Sequence, residues 1–194
     1  MKRHLFVGLV ALSLIPGVAH AVTIGVGAFG GTSIPVLQVD NGRGSTFGLR
    51  VPVNFVPLLT VEPFFAKTSG GEKTQTLGPL SYTFPGIDVT SYGANELFAF
   101  GTGFQMYPFA GVSSNNLKGR ERKAAQIVDL DATRTGYDFG LGFGAKLPLV
   151  GLSAHARGAF NIVIDPAGSR ASRKWTDITV GVSYSLFHFP PLVP

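Results

Sequence analysis

Beyond residue 21 the chain carries two histidines, His155 and His188. Proton transfer near neutral pH would start from one of them. His155 lies two residues after Ser153 and two before Arg157, a spacing that puts all three on one face of an extended segment. Three carboxylates, Glu62, Asp138 and Asp177, fall on the polar faces of other segments. A serine nucleophile, a histidine base and an orienting acid would need these residue types. Yet Ser153 and His155 are neighbours on a single strand, and their surroundings match no catalytic arrangement, so no catalytic residue is assigned and the chain is read as a non-enzyme. The same residues are explained as packing. Buried ions need partners to offset desolvation, so Arg50, Glu62, Asp138, Lys146, His155, Arg157 and Asp177 are expected to form an interior polar network. Arg50 would pair with Glu62 across a short turn, and Lys146, His155 and Arg157 with Asp138 and Asp177. There is no Cys, no metal-ligand spacing and no cofactor motif. The glycines of 136–144 alternate along a strand rather than opening a helix, which argues against a phosphate loop.

The elements that would position these groups are strands. Residues 175–189 set the pattern: Ile178, Val180, Val182, Tyr184 and Leu186 alternate with Asp177, Thr179, Gly181, Ser183 and Ser185. Successive side chains of a strand point to opposite faces, so this segment has one oily and one polar side. The alternation recurs at 22–30, 46–55, 59–67, 89–100, 104–114, 135–147 and 152–164, which makes eight strands. Pro52 and Pro63 predict bulges or missing ladder bonds near the turn at 56–58. Glu96 and Leu97 fall out of phase and predict a bulge or a misread register there. The phase of 104–114 is ambiguous because 104–110 is apolar or aromatic on both sides. Residues 32–43, 68–86, 115–134 and 165–174 read as long loops, the third with a turn of helix, whereas the connections between them are short.

Composition narrows the class. Charged residues make up 14% of the 194, hydrophobic residues 45%, and there are 26 glycines; soluble domains carry about 25% charged residues. Residues 1–21 have the layout of a secretory signal peptide: Lys2 and Arg3, an apolar run, then Ala19-His20-Ala21. Without Lys2 and Arg3 the formal charge of +5 falls by two, to +3, which is too little to imply nucleic acid as a partner. Eight strands of membrane-crossing length, with long and short connections alternating, describe a transmembrane barrel. A soluble antiparallel barrel would put its oily face inside and needs more charge on its polar faces than these Gly, Ser, Thr and Asn residues supply. The predicted fold is therefore all-β: an eight-stranded antiparallel up-and-down transmembrane barrel over 22–189, after a cleavable leader and before a short tail, 190–194.

The chain resembles the small eight-stranded outer-membrane barrels of diderm bacteria, the porin-like or opacity-type family that includes the transmembrane domain of outer-membrane protein A. The likeness rests on Ser91-Tyr92-Gly93-Ala94-Asn95, on Tyr107-Pro108-Phe109-Ala110-Gly111-Val112, on Gly136-Tyr137-Asp138-Phe139-Gly140-Leu141-Gly142 and on Val180-Gly181-Val182-Ser183-Tyr184-Ser185-Leu186. It implies export to the bacterial outer membrane, insertion by the barrel-assembly machinery and a monomer. Leu186 stands where that family's closing aromatic is expected. The external loops are the predicted functional surface. Lys118, Arg120, Arg122 and Lys123 cluster in one, Arg170, Arg173 and Lys174 in another, and such cations suit the phosphates of lipopolysaccharide or an anionic host surface. The expected role is structural and surface-interacting, with a narrow diffusion pore as the alternative and a lipid-modifying hydrolase as a third reading.

Overall fold

The computed structural model describes residues 22–36, 38, 41–56, 58–77, 80–123, 126–147, 151–164 and 172–189. The leader 1–21 and the tail 190–194 lie outside them, as do Arg170 and the side chains of Arg122 and Lys123. The strands are β1 (Val22–Pro35), β2 (Gly42–Arg50), β3 (Val53–Val56), β4 (Leu59–Gly71), β5 (Lys73–Leu77), β6 (Leu80–Phe84), β7 (Ile87–Phe98), β8 (Phe104–Lys123), β9 (Gln126–Leu147), β10 (Leu152–Val163) and β11 (Arg173–Phe189). Each stave pairs antiparallel with the next, and β11 pairs back onto β1, so the sheet closes. β2 and β3 together make the second stave, and β5 and β6 form a separate hairpin, which leaves an eight-stranded barrel. Among the described residues there is no helix.

The oily face is outside. Val180 is 65% exposed, whereas its neighbour Thr179 is 8% exposed and faces the bore. Phe139, Leu141 and Phe143 are likewise exposed, with Asp138 buried beside them. At about 3.4 Å per residue and a tilt of about 40°, the oily face of β9 from Tyr137 to Leu147 spans roughly 26 Å of membrane normal, close to the apolar band of such barrels. Lipid supplies no hydrogen-bond partners, and closure removes the free edges that would need them.

Two glycines show how the bore is packed. A Cβ on Gly142 would lie 2.2 Å from the ring of Tyr107, and one on Gly140 would lie 2.8 Å from the ring of Phe109. Alternating glycine on β9 is the complement of inward aromatics on β8, its neighbour in the sheet. Tyr107 and Phe109 are the inward residues and Phe104 and Met106 the outward ones, which resolves the phase of that strand.

Several expectations need correction. Residues 115–134 are not a loop with helix: β8 and β9 run on as paired strands to Lys123 and Gln126. Cross-strand pairs of the alternating residues, Asn116 with Thr133 and Lys118 with Asp131 among them, keep the ribbon extended. β1 continues through Thr32 to Pro35, and β4 through Thr68 to Gly71. The span 68–86 ends in the β5–β6 hairpin. There is no bulge at Glu96 and Leu97, because the β4–β7 and β7–β8 registers run through without a shift. Leu97 is a bore residue, packed with Tyr107 and Phe109. The expected break near Pro52 is present: β2 stops at Arg50 and β3 starts at Val53. A register shift at Ile24/Gly25 makes Leu186 the extra residue of β11 and pairs Phe187 with Ile24, so an aromatic follows on the outer wall one residue later than the sequence alternation implies.

Candidate functional site

The bore has three levels. At the long-hairpin end Ile87, Val89, Leu117, Val163 and Trp175 form a buried apolar cluster, against which Leu130 of the projecting ribbon packs. Phe84 is also fully buried. In the middle is a charged layer. Both terminal guanidinium nitrogens of Arg157 donate to Glu62, Nη2 to Oε2 at 2.8 Å and Nη1 to Oε1 more closely still. Arg157 is 9% exposed and Glu62 2%. The guanidinium also lies 5.1 Å from the Tyr107 ring and 5.5 Å from that of Phe109. Such a bidentate, desolvated pair is strong in the low-dielectric bore, and removal of either member strands the other charge.

The seven polar residues all line the bore, but their contacts differ from the sequence expectation. Glu62 pairs with Arg157 and not with Arg50. Arg50 lies 5.1 Å from the Phe29 ring centre, with Nε and Nη2 unbonded within the described protein. Asp177 accepts from Asn161 at 3.0 Å and from the Trp175 indole at 3.1 Å, rather than from a cation. Asp138 is buried in the same layer with Oδ1 unbonded. A small cavity of about 70 Å³ joins Arg50, Asn95, Asp138 and Asp177, large enough for water to bridge them. Lys146 stands apart, at the open end of the bore.

At the short-turn end the bore widens into a bowl of about 590 Å³. Its floor is a relay of hydrogen bonds. Arg157 Nε donates to the Tyr107 hydroxyl at 3.0 Å, that hydroxyl lies 3.2 Å from His155 Nδ1, and His155 Nε2 lies 2.8 Å from Ser183 Oγ. His155 therefore meets Ser183 of the adjacent strand rather than Ser153. Sequence reasoning missed Ser183 and Tyr107 because both come from other strands, Ser183 from β11 beside β10 and Tyr107 from β8, two strands away. Only the register, which sets Ser153 opposite Ser183, could have supplied Ser183. The third member of the relay is a phenol where a nucleophilic triad has a carboxylate. Ser183 sits in mid-strand, paired on both sides with Gly27 and Ser153. Backbone N–H groups there are committed to the ladders, which leaves none to cradle an oxyanion.

The predicted surface cations are mostly on strands. Lys118 lies 4.0 Å from Asp131 and Arg120 3.5 Å from Asp129, across the β8–β9 ribbon and largely solvated. Arg173 and Lys174 begin β11, and alternation puts Lys174 on the outer wall, in register with Ile162, whose other partner is Tyr137.

These features define a class: a closed barrel with an oily exterior, a polar and plugged interior, and the fold of the small eight-stranded outer-membrane barrels. Comparison with protein-family models finds no match, and comparison with curated protein sequences finds no relative. Solved structures do match. Neisserial surface protein A (NspA) aligns with a TM-score of 0.60 at 13% identity, covering 86% of this chain and 99% of that one. The N-terminal β-barrel domain of Pseudomonas aeruginosa OprF gives 0.52 at 14% identity, covering 84% and 97%. A major outer membrane protein from Thermus thermophilus gives 0.53 at 12% identity, covering 86% and 100%. At these identities the likeness is one of fold.

Proposed function

We propose that the protein is a monomeric barrel of the bacterial outer membrane with a structural and surface-interacting role, and that it is not an enzyme. The short-turn end faces the periplasm and the β8–β9 ribbon faces outward. One observation carries this reading: the bore is occupied at two levels, by the Arg157–Glu62 layer and by the Trp175 cluster, while the longest hairpin extends past the oily belt. A bore filled by side chains is what eight strands are expected to leave, and it disfavours the diffusion-pore alternative. On the outward side, the part free to meet other molecules is then the ribbon and the rim. Insertion would use the barrel-assembly machinery, with Phe187 on the outer wall near the end of β11.

The finer proposal is contact with lipopolysaccharide phosphates through Lys118, Arg120, Arg122, Lys123, Arg170, Arg173 and Lys174. Asp131 and Asp129 offset Lys118 and Arg120. Lys174, on the outer wall at the level of the aromatic Tyr137 with Ile162 between them, is the best placed for a phosphate at the membrane surface. The test is paired. Planar-bilayer conductance should stay at background, and Lys174→Ser should weaken lipopolysaccharide binding more than Lys118→Ser. Open-channel conductance would favour the pore, and unchanged affinity in both variants would remove the electrostatic basis for binding.

A further inference from the structure

The bowl at the short-turn end has features that the surface role does not use. Its volume of about 590 Å³ lies within the range of small-molecule sites, roughly 300–1,000 Å³. It has one entrance, because the Arg157–Glu62 layer closes its floor. Its charge is one-signed. Glu62 is the only carboxylate among the described lining residues, and Arg157 takes both of its oxygens. Lys146 of β9 and the imidazoles of His155 and His188 face the same space. Lys146 is exposed and makes no ion pair among the described residues. It stands directly opposite Ser153 on β10, one step above His155. Across the bowl, Val56 of β3, Leu97 of β7 and Ala99 after it form an apolar strip beside Asn54, Thr60 and Gln105.

We propose that this bowl binds a small amphipathic anion, with its carboxylate or phosphate head at Lys146 and Ser153 and its short apolar tail against Val56, Leu97 and Ala99. Charge sets the sign of the ligand, since an organic cation would meet Lys146 with no free carboxylate to offset it. The apolar strip sets its amphipathic character: water can satisfy Lys146 but gains nothing from Val56 and Ala99, where a tail of a few carbons buries apolar surface. The closed floor limits length, so the bowl takes a short chain in one orientation, head toward β9 and β10.

The two histidines beyond residue 21 both line the bowl, which makes histidine-selective labelling a direct probe. The protein, ring-labelled at histidine and held in phosphatidylcholine nanodiscs, is titrated with hexanoate, hexyl phosphate and hexyltrimethylammonium while ring NMR signals are followed. Variants His155→Gln and His188→Gln assign the two signals. The expected result is a saturable shift of the His155 signal with either anion and none with the ammonium. Lys146→Gln should weaken the anion response about tenfold, the scale of a lost charged hydrogen bond, and Lys146→Arg should restore most of it. Tighter binding of hexyl phosphate would assign a phosphate head and tighter binding of hexanoate a carboxylate; either upholds the site. A shift that never saturates, an equal response to the ammonium, or a titration unchanged by Lys146→Gln in a variant that retains folded, heat-modifiable gel migration would overturn it.

Discussion

The two ends of the bore are built from opposite materials. At the long-hairpin end the staves turn Ile87, Leu117, Val163 and Trp175 inward, and the space between them is filled. At the short-turn end the same staves turn Gln105, Lys146, Ser153, His155 and Ser183 inward and leave a bowl open. Closure of the sheet is common to both, so the difference lies in side chains alone. It shows that in this barrel the fold is held by backbone ladders around the whole circumference, while access is decided level by level by what the alternate positions carry. One end is a core and the other is a vessel, separated by a single ion-paired layer.

That contrast can be broken at its boundary. Glu62→Ala leaves the Arg157 guanidinium buried without its carboxylate and should destabilise the barrel by about 3–5 kcal/mol, read from denaturant unfolding in lipid vesicles. The double variant Glu62→Leu with Arg157→Met should recover much of the loss, because an apolar pair of similar volume avoids the uncompensated charge. Leu117→Ala cuts into the filled end and should cost about 2–4 kcal/mol. Bilayer conductance should nonetheless remain at background, since the charged layer still crosses the bore. Gly142→Ala tests packing between β8 and β9: the added methyl meets the Tyr107 ring, and a cost of about 1–3 kcal/mol is expected in the same unfolding assay. Arg120→Ala, on the projecting ribbon, should change stability by less than about 0.5 kcal/mol, because its pair with Asp129 is solvated.

How much of this was legible in the sequence follows from the same alternation. Wherever one face of a strand meets lipid and the other a crowded bore, residue types separate cleanly, and the membrane-crossing parts of β9, β10 and β11 are legible almost residue by residue. Beyond the membrane that pressure ends. Asn116, Lys118 and Arg120 alternate with Leu117, Gly119 and Glu121, so a single leucine is all the oily face that this part of β8 offers, too little to mark it as a strand rather than a loop. Inside the bore the sequence identified which ions are present but not who meets whom. Arg50 and Arg157 are equivalent as letters, and the choice of Glu62 between them depends on side-chain reach across the bore. The same limit hid Ser183 from His155. Leu97 was misjudged for another reason: a leucine facing inward looks like a slipped register until Tyr107 and Phe109 are seen beside it.

The central claim is that the oily wall faces acyl chains and the small, polar wall faces the bore. The chain has no native cysteine, so single-cysteine variants can carry nitroxide labels without background. In lipid vesicles, labels at Val180→Cys and Leu141→Cys should relax strongly with oxygen, which partitions into the bilayer, and weakly with a water-soluble nickel chelate. A label at Lys146→Cys, at the open end of the bore, should show the reverse. The account is contradicted if Val180 and Leu141 respond to the chelate as Lys146 does, for the wall taken here as lipid-facing would then be in water.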